Sequence, residues 1–236
     1  DSLRYGLLAA FEDDVEWLAT NANGQPITLT GEGRDFAVAR VMYTAPETTS
    51  WGYMGTYMSG SQFDTSVHSL DGHLRNRDGS LNADAQLIMS DRDGVTGYGA
   101  MFDALYSTSP NLRHKFELDV MDEDIDFNDL GFLRRNDYVL GRYVLLYNKQ
   151  NLSENLSNYR TTLVVKHQHN LSEDQITDSA VLWRSSVELP KRNTLRLGIG
   201  YFPERYEDID SRGNGAYKVD GGGWFETLLS TDAGKK

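Results

Sequence analysis

Thr194-Leu195-Arg196-Leu197-Gly198-Ile199-Gly200-Tyr201 is the stretch whose reading decides the fold class. Leu195, Leu197, Ile199 and Tyr201 alternate with Thr194, Arg196, Gly198 and Gly200, and a period of two puts the first set on one face of an extended strand and the second on the other. The segment before it repeats the pattern: Val181, Trp183, Val187 and Leu189 oppose Arg184, Ser186 and Glu188, with Ser185 alone interrupting the apolar side. Further upstream, Val139, Tyr143, Leu145 and Tyr147 lie opposite Arg142, and Phe116, Leu118 and Val120 lie opposite Lys115, Glu117 and Asp119. Leu81, Ala83, Ala85, Leu87 and Met89 oppose Asn82, Asp84 and Gln86 in the same way. A charged face on strand after strand is costly unless water reaches it, although solvated antiparallel sheets of soluble proteins alternate similarly.

Segments of this kind recur along the chain at about nine to twelve residues, the length that crosses a bilayer at a tilt. They cover residues 3–11, 36–44, 51–59, 66–75, 80–90, 96–107, 112–121, 138–149, 159–169, 179–189, 193–203 and 216–228. Asp78-Gly79 and Asp93-Gly94 stand where tight hairpins need residues tolerant of positive φ. The expectation is all-β: an antiparallel meander of about twelve strands forming an outer-membrane β-barrel or a large part of one, as a single domain over residues 1–236. Polar connectors near residues 12–35, 122–137, 150–158, 170–178 and 204–215 read as the longer loops at strand ends. Tyr5, Phe11, Trp51, Tyr57, Tyr106, Tyr138, Tyr147, Tyr201 and Phe202 lie near segment ends, where they form either interfacial girdles or ordinary β-propensity positions.

Composition agrees with a wall rather than a packed globule. A hydrophobic content of 39% is low for a compact core, yet 13 Tyr, 9 Phe and 4 Trp argue against disorder. With no cysteine there is no disulfide framework, thiolate metal site or cysteine nucleophile. A formal charge of −12 and the lack of a basic stripe count against a nucleic-acid partner. No run approaches the length of a membrane helix, which leaves barrel strands untouched because their hydropathy signal is weak.

One segment carries a more specific pattern. Phe127-Asn128-Asp129-Leu130-Gly131-Phe132-Leu133-Arg134-Arg135-Asn136-Asp137 resembles the F-x-x-x-G-F-x-x-R-x-D signature of an uncharacterised outer-membrane family, known as a domain of unknown function numbered 5916. Gly97-Tyr98 and Ser69-Leu70-Asp71-Gly72 are similar to its flanking pattern. The resemblance implies a C-terminal barrel joined to an N-terminal domain like the family 9 carbohydrate-binding modules, and hence a link to glycans. The chain departs from it in two ways: no such domain precedes the strands, and the end at Lys236 is not a strand with a terminal aromatic residue. A barrel incomplete at its C-terminus is therefore expected. Without the family, the segment reads as a structural latch: Gly131 permits a bend, Phe132 anchors, and Arg134 or Arg135 reaches the acidic run before it.

The remaining clusters are weak. Asp122, Glu123, Asp124, Asp126 and Asp129 form the densest group of carboxylates, and Asp122, Asp124 and Asp126 are candidate calcium ligands. Phe127 and Leu133 stand where an EF-hand needs glycine and glutamate, so a solvated acidic loop is the plainer reading. Glu207, Asp208, Asp210 and Asp220 form a looser second group. His167 and His169 share a strand face without a recognisable third ligand. Nothing singles out a catalytic pair, a nucleophile elbow or a phosphate loop, and no cofactor is implied.

Three functions stay open on these residues. The first is an outer-membrane barrel acting as scaffold, pore or docking surface in a bacterial envelope, with the lipid bilayer and glycans or other envelope proteins as partners. Its lumen would be lined by Arg142, Lys166, Arg184 and Arg196. The second is a soluble carbohydrate-binding sandwich with a dry core between two sheets, and the third is a glycoside-active enzyme.

Overall fold

The structure is a computed structural model, and it describes residues 2–46, 48–128, 133–211 and 214–231. In chain order its strands are β1 (Ser2–Phe11), β2 (Val15–Thr20), β3 (Pro26–Gly31), β4 (Asp35–Thr44), β5 (Thr49–Ser59), β6 (Asp64–Arg75), β7 (Leu81–Arg92) and β8 (Val95–Ser109). They continue with β9 (Leu112–Met121), β10 (Tyr138–Lys149), β11 (Ser157–His169), β12 (Ile176–Leu189), β13 (Asn193–Phe202), β14 (Arg205–Glu207), β15 (Tyr217–Val219) and β16 (Gly222–Ser230). Twelve form one antiparallel sheet in the order β1-β4-β5-β6-β7-β8-β9-β10-β11-β12-β13-β16, and β2-β3 and β14-β15 are separate two-stranded ribbons. The expected all-β meander and its twelve-strand sheet are present. The sheet is open, with β1 and β16 as its two edges.

Two of the expected tight turns close as their residues demand. Gly79 has φ 72°, and Asp93 and Gly94 have φ 52° and 81°, the left-handed region that hairpin turns require. The last expected strand, residues 216–228, is instead divided. Tyr217–Val219 pairs with β14, and the main-sheet strand begins only at Gly222. The two ribbons are insertions into hairpins, one between β1 and β4 and one between β13 and β16.

Because consecutive strands run in opposite directions, connectors leave from alternate ends. Residues 12–34, 122–137 and 203–221 all emerge at one end, together with 60–63, 93–94 and 170–175. The other end carries 45–48, 76–80, 110–111, 150–156 and the 3-10 turn Pro190–Arg192. The three longest connectors thus share one end, and 150–156, expected among the long loops, belongs to the short-turn end.

Register separates the faces cleanly. Tyr5, Val41, Tyr53, Leu70, Leu87, Ala100, Val120 and Val139 form one continuous row of cross-strand partners from β1 to β10. This apolar face is open: Tyr5, Leu7, Leu87, Phe102, Ile199 and Phe225 are all exposed. The opposite face carries His73, Asp84, Asp103, Glu117, Arg142 and Lys166 as an equally continuous row from β6 to β11. Tyr5, Phe11, Trp51, Tyr57, Tyr106, Tyr147 and Tyr201 lie on the apolar face, whereas Tyr138 and Phe202 fall on the polar one by the same register.

No second large sheet covers the apolar face among the described residues. The buried apolar side chains are few: Met58, Ile88, Ala104, Met121, Ile125 and Ala180. The main cluster, Ile88, Met121 and Ile125 with Val67, Met101, Phe127, Leu133 and Tyr138 around it, sits at the long-loop end and includes residues of the 122–137 connector.

Candidate functional site

The polar face is built by glycines as much as by charges. Arg40 on β4 reaches across β5 to form a two-pronged ion pair with Asp71 on β6, with Nη2 2.9 Å from Oδ2. The crossing needs Gly52: a Cβ there would lie 2.5 Å from Arg40 Nη2 and 2.7 Å from Asp71 Oδ2. His73 extends the chain, with Nε2 3.2 Å from Asp71 Oδ2 and Nδ1 2.6 Å from Asp84 Oδ1. The same device recurs on β13, where Trp224 of β16 lies over Gly198 and Gly200 and meets Arg184 of β12, whose Cζ is 5.1 Å from the ring centroid. Gly-x-Gly puts both glycines on one face of a strand, so this pattern was available in the sequence as a marker of what lies over it.

Between these crossings runs the charged row. Asp84, Asp103 and Glu117 are direct cross-strand neighbours, an arrangement that is unfavourable unless cations intervene. Lys115 does so, with Nζ bonded to Glu117 and 3.7 Å from Asp103, and Arg142 closes the group on Glu117. Lys166 Nζ donates to Asp178 Oδ2 at 2.6 Å. The four cations expected on the polar side, Arg142, Lys166, Arg184 and Arg196, all lie on this face by register.

At the long-loop end the described part of the 122–137 connector folds back onto the polar face. Gly97 and Gly99 of β8 make the seat: a Cβ on Gly97 would lie 2.1 Å from Ile125 N, and one on Gly99 2.8 Å from Ile125 Cδ1. The described residues of the loop form no ladder among themselves, so side chains satisfy much of their backbone. Asp122 accepts from Tyr98 N at 2.7 Å and Ile125 N at 2.8 Å, Ser90 Oγ accepts from Asp126 N at 2.9 Å, and Asn128 Oδ1 accepts from Leu133 N at 2.8 Å.

These bonds decide how the candidate calcium ligands are used. Asp122 is committed to two amides, and Asp126 to Arg92 Nη1 at 2.8 Å and Asn128 N at 3.1 Å. Asp124 lines a cleft with Glu123 and Asp126. Among the described residues no group of three or more His, Asp or Glu side chains is arranged to hold a metal ion. His167 turns to Ser179 Oγ at 2.8 Å, with its ring centroid 5.7 Å from that of His169.

The latch segment holds loops together. Phe127 packs on the buried cluster. Arg135 does not turn to the acidic run before it; it donates to both oxygens of Asp208, at 2.8 and 2.5 Å, joining the connector to the β14-β15 insertion. Asp137, with φ 54°, accepts from Leu171 N and Ser172 N at 3.0 Å each and from Ser172 Oγ at 2.5 Å, so it fastens the β11-β12 turn. Arg134 makes no hydrogen bond or ion pair among the described residues. Gly131 and Phe132, like Asp129, lie outside those residues.

Between this segment and β14 lies a cleft of about 410 Å³, lined by Arg134, Arg135, Tyr138, Gln168, Phe202 and Arg205, with Glu207 and Ile209 among its other walls. Beside it, Glu204 holds the Lys218 ammonium above its ordinary range through a hydrogen bond at 2.6 Å. Sequence reasoning missed Arg40, Asp71, His73 and Asp84 as a connected chain, and it missed Asp208 and Arg205 as partners of the latch.

No curated protein and no solved structure matches the chain significantly. The model of the family described as a domain of unknown function (DUF5916) matches residues 54–236, from within β5 through β16, and the chain belongs to that family.

Proposed function

We propose that the twelve-stranded sheet is the wall of a bacterial outer-membrane β-barrel, its apolar face against lipid and its polar face lining the lumen, and that it acts as scaffold, pore or docking surface rather than as an enzyme. The observation that carries this reading is the unbroken apolar row across successive strands, exposed from β1 to β7 and half-buried at Ala100, Val120 and Val139, backed by an ion-paired polar face. Water penalises such a face along its whole width, whereas lipid accepts it and leaves backbone pairing to the strands.

Two further features support it. Tyr98 and Tyr106 mark the ends of the apolar face of β8. Their separation is about 26 Å along the strand, or about 20 Å high at a tilt of about 40°, close to the ~25 Å apolar band of such barrels. The three longest connectors leave from one end, as expected where loops face outward and turns face the periplasm. In this reading β1 and β16 are brought together or joined by further strands, because exposed edges in a bilayer are untenable. Glycans remain the docking partner implied by the family resemblance.

The test is extraction of the full-length native protein from cell envelopes with and without detergent, followed by gels of heated and unheated samples. Extraction that depends on detergent, with a heat-shifted band, is the expected result. A detergent-free monomer without a shift would overturn the reading in favour of a soluble sugar-binding module.

A further inference from the structure

We propose that the cleft between the latch segment and β14 binds a small organic anion, a carboxylate or phosphate carried on a ring-sized apolar body. The carboxylates in and beside the cleft already have partners. Asp178 is paired with Lys166 at 2.6 Å, and Asp208 with Arg135. Glu207 Oε1 accepts from the amides of Ile209 and Asp210 at 3.2 and 3.3 Å, so it is turned onto its own backbone. Arg134 and Arg205 line the same cleft, and their side chains have no hydrogen-bonding or ionic partner among the described residues.

Arg134 also borders the acidic cleft of Glu123, Asp124 and Asp126, so the cavity it shares with Arg205 has one guanidinium from the connector and one from β14, and an oxyanion that accepts from both offsets their like charge. Arg135 stiffens the arrangement, since its two-pronged bond to Asp208 fixes the backbone that carries Arg134. The body of the ligand rests on the aromatic walls. Tyr138 and Phe202 both project from the polar face into this cleft, and Gln168, whose Nε2 is bonded to Thr177 Oγ1 at 2.9 Å, lies in its floor. At about 410 Å³ the space suits a molecule of one ring with its charged group. The assignment holds whichever medium meets the opposite, apolar face.

Calorimetric titration of the purified full-length protein tests it, with phenyl phosphate and benzoate as anionic probes, benzyl alcohol as the neutral one and inorganic phosphate as the bodiless one. Phenyl phosphate and benzoate should bind and benzyl alcohol should not. Replacing both Arg134→Gln and Arg205→Gln should weaken binding by about tenfold for each guanidinium. Neither side chain makes a contact that holds the fold, so the unfolding temperature should not move. Equal binding of benzyl alcohol, unchanged affinity in the double variant, or no heat from any probe at millimolar concentration would overturn the proposal. Inorganic phosphate binding as tightly as phenyl phosphate would overturn the role given to Tyr138 and Phe202. Because the readout is binding at a cleft on the polar face, its failure leaves detergent extraction untouched, and the two ideas fall separately.

Discussion

The β2-β3 ribbon and the 122–137 connector leave the same end of the sheet, yet one closes a ladder of its own and the described part of the other folds back onto the sheet. The ribbon satisfies its own backbone: six consecutive residue pairs from Val15↔Gly31 to Thr20↔Pro26 close it, and Asn21 Oδ1 caps its turn by accepting from Asn23 N and Gln25 N. Its apolar residues Trp17, Leu18 and Leu29 stay exposed. The connector cannot do this, because acidic residues interrupt any strand period, so its amides take Asp122, Ser90 and Asn128 as acceptors and its Ile125 fills the seat over Gly97. A loop without an internal ladder satisfies its amides with side chains, here its own Asp122 and Asn128 together with Ser90 of the sheet.

Substitutions can break that contrast, beginning with the seat itself. Gly97→Ala sets a methyl against the backbone of Ile125 and should cost about 3 kcal/mol in denaturant unfolding, with the connector newly open to protease. A neutral result would mean that the loop is not seated on β8. Arg135→Ala removes one half of a largely buried pair, and a loss of about 2–3 kcal/mol is expected. In a double-mutant cycle Asp208→Ala should add little to it, whereas additive losses would show that the two side chains act separately.

Asp122→Ala deprives two amides of a charged acceptor and should cost about 1–2 kcal/mol, with faster hydrogen exchange at Tyr98 and Ile125 as the specific signature. The ribbon offers the opposite limit. The nearest atoms to an added Cβ at Gly31 belong to the exposed Trp17 side chain rather than to backbone, so Gly31→Ala should cost about 0.5 kcal/mol. A large loss there would show that the ribbon, too, is anchored.

Much of the sheet was legible because period two is a local property. Leu112–Met121 and Tyr138–Lys149 begin and end where alternation and flanking polar residues predict. The ribbon was hidden inside a connector that reads as polar, although Val15 and Trp17 alternate with Glu16 and Ile27 and Leu29 with Thr28 around an Asn-Gly turn. The division at residues 216–228 was hidden for another reason. Tyr217 and Val219 alternate in phase with the later strand, and only the crowding at Gly221, where a Cβ would lie 3.0 Å from Phe202 O, marks the corner. Long-range partners were not legible at all: nothing local to Arg135 points to Asp208, and nothing in β4 announces that Arg40 passes over Gly52 to Asp71.

Every hydrogen-bonded neighbour in the large sheet is also the next main-sheet strand along the chain. The sheet can therefore form hairpin by hairpin, most additions closing a short loop and three closing the longer connectors 12–34, 122–137 and 203–221. The Arg135–Asp208 pair is different, since it joins residues 73 apart. Closing such a span costs about 3 kcal/mol more entropy than closing a two-residue turn, unless the strands between have already drawn its ends together. The bond that locks the 122–137 connector to the β14-β15 insertion is thus favourable only once the strands between them are paired, so it records the completion of that part of the sheet.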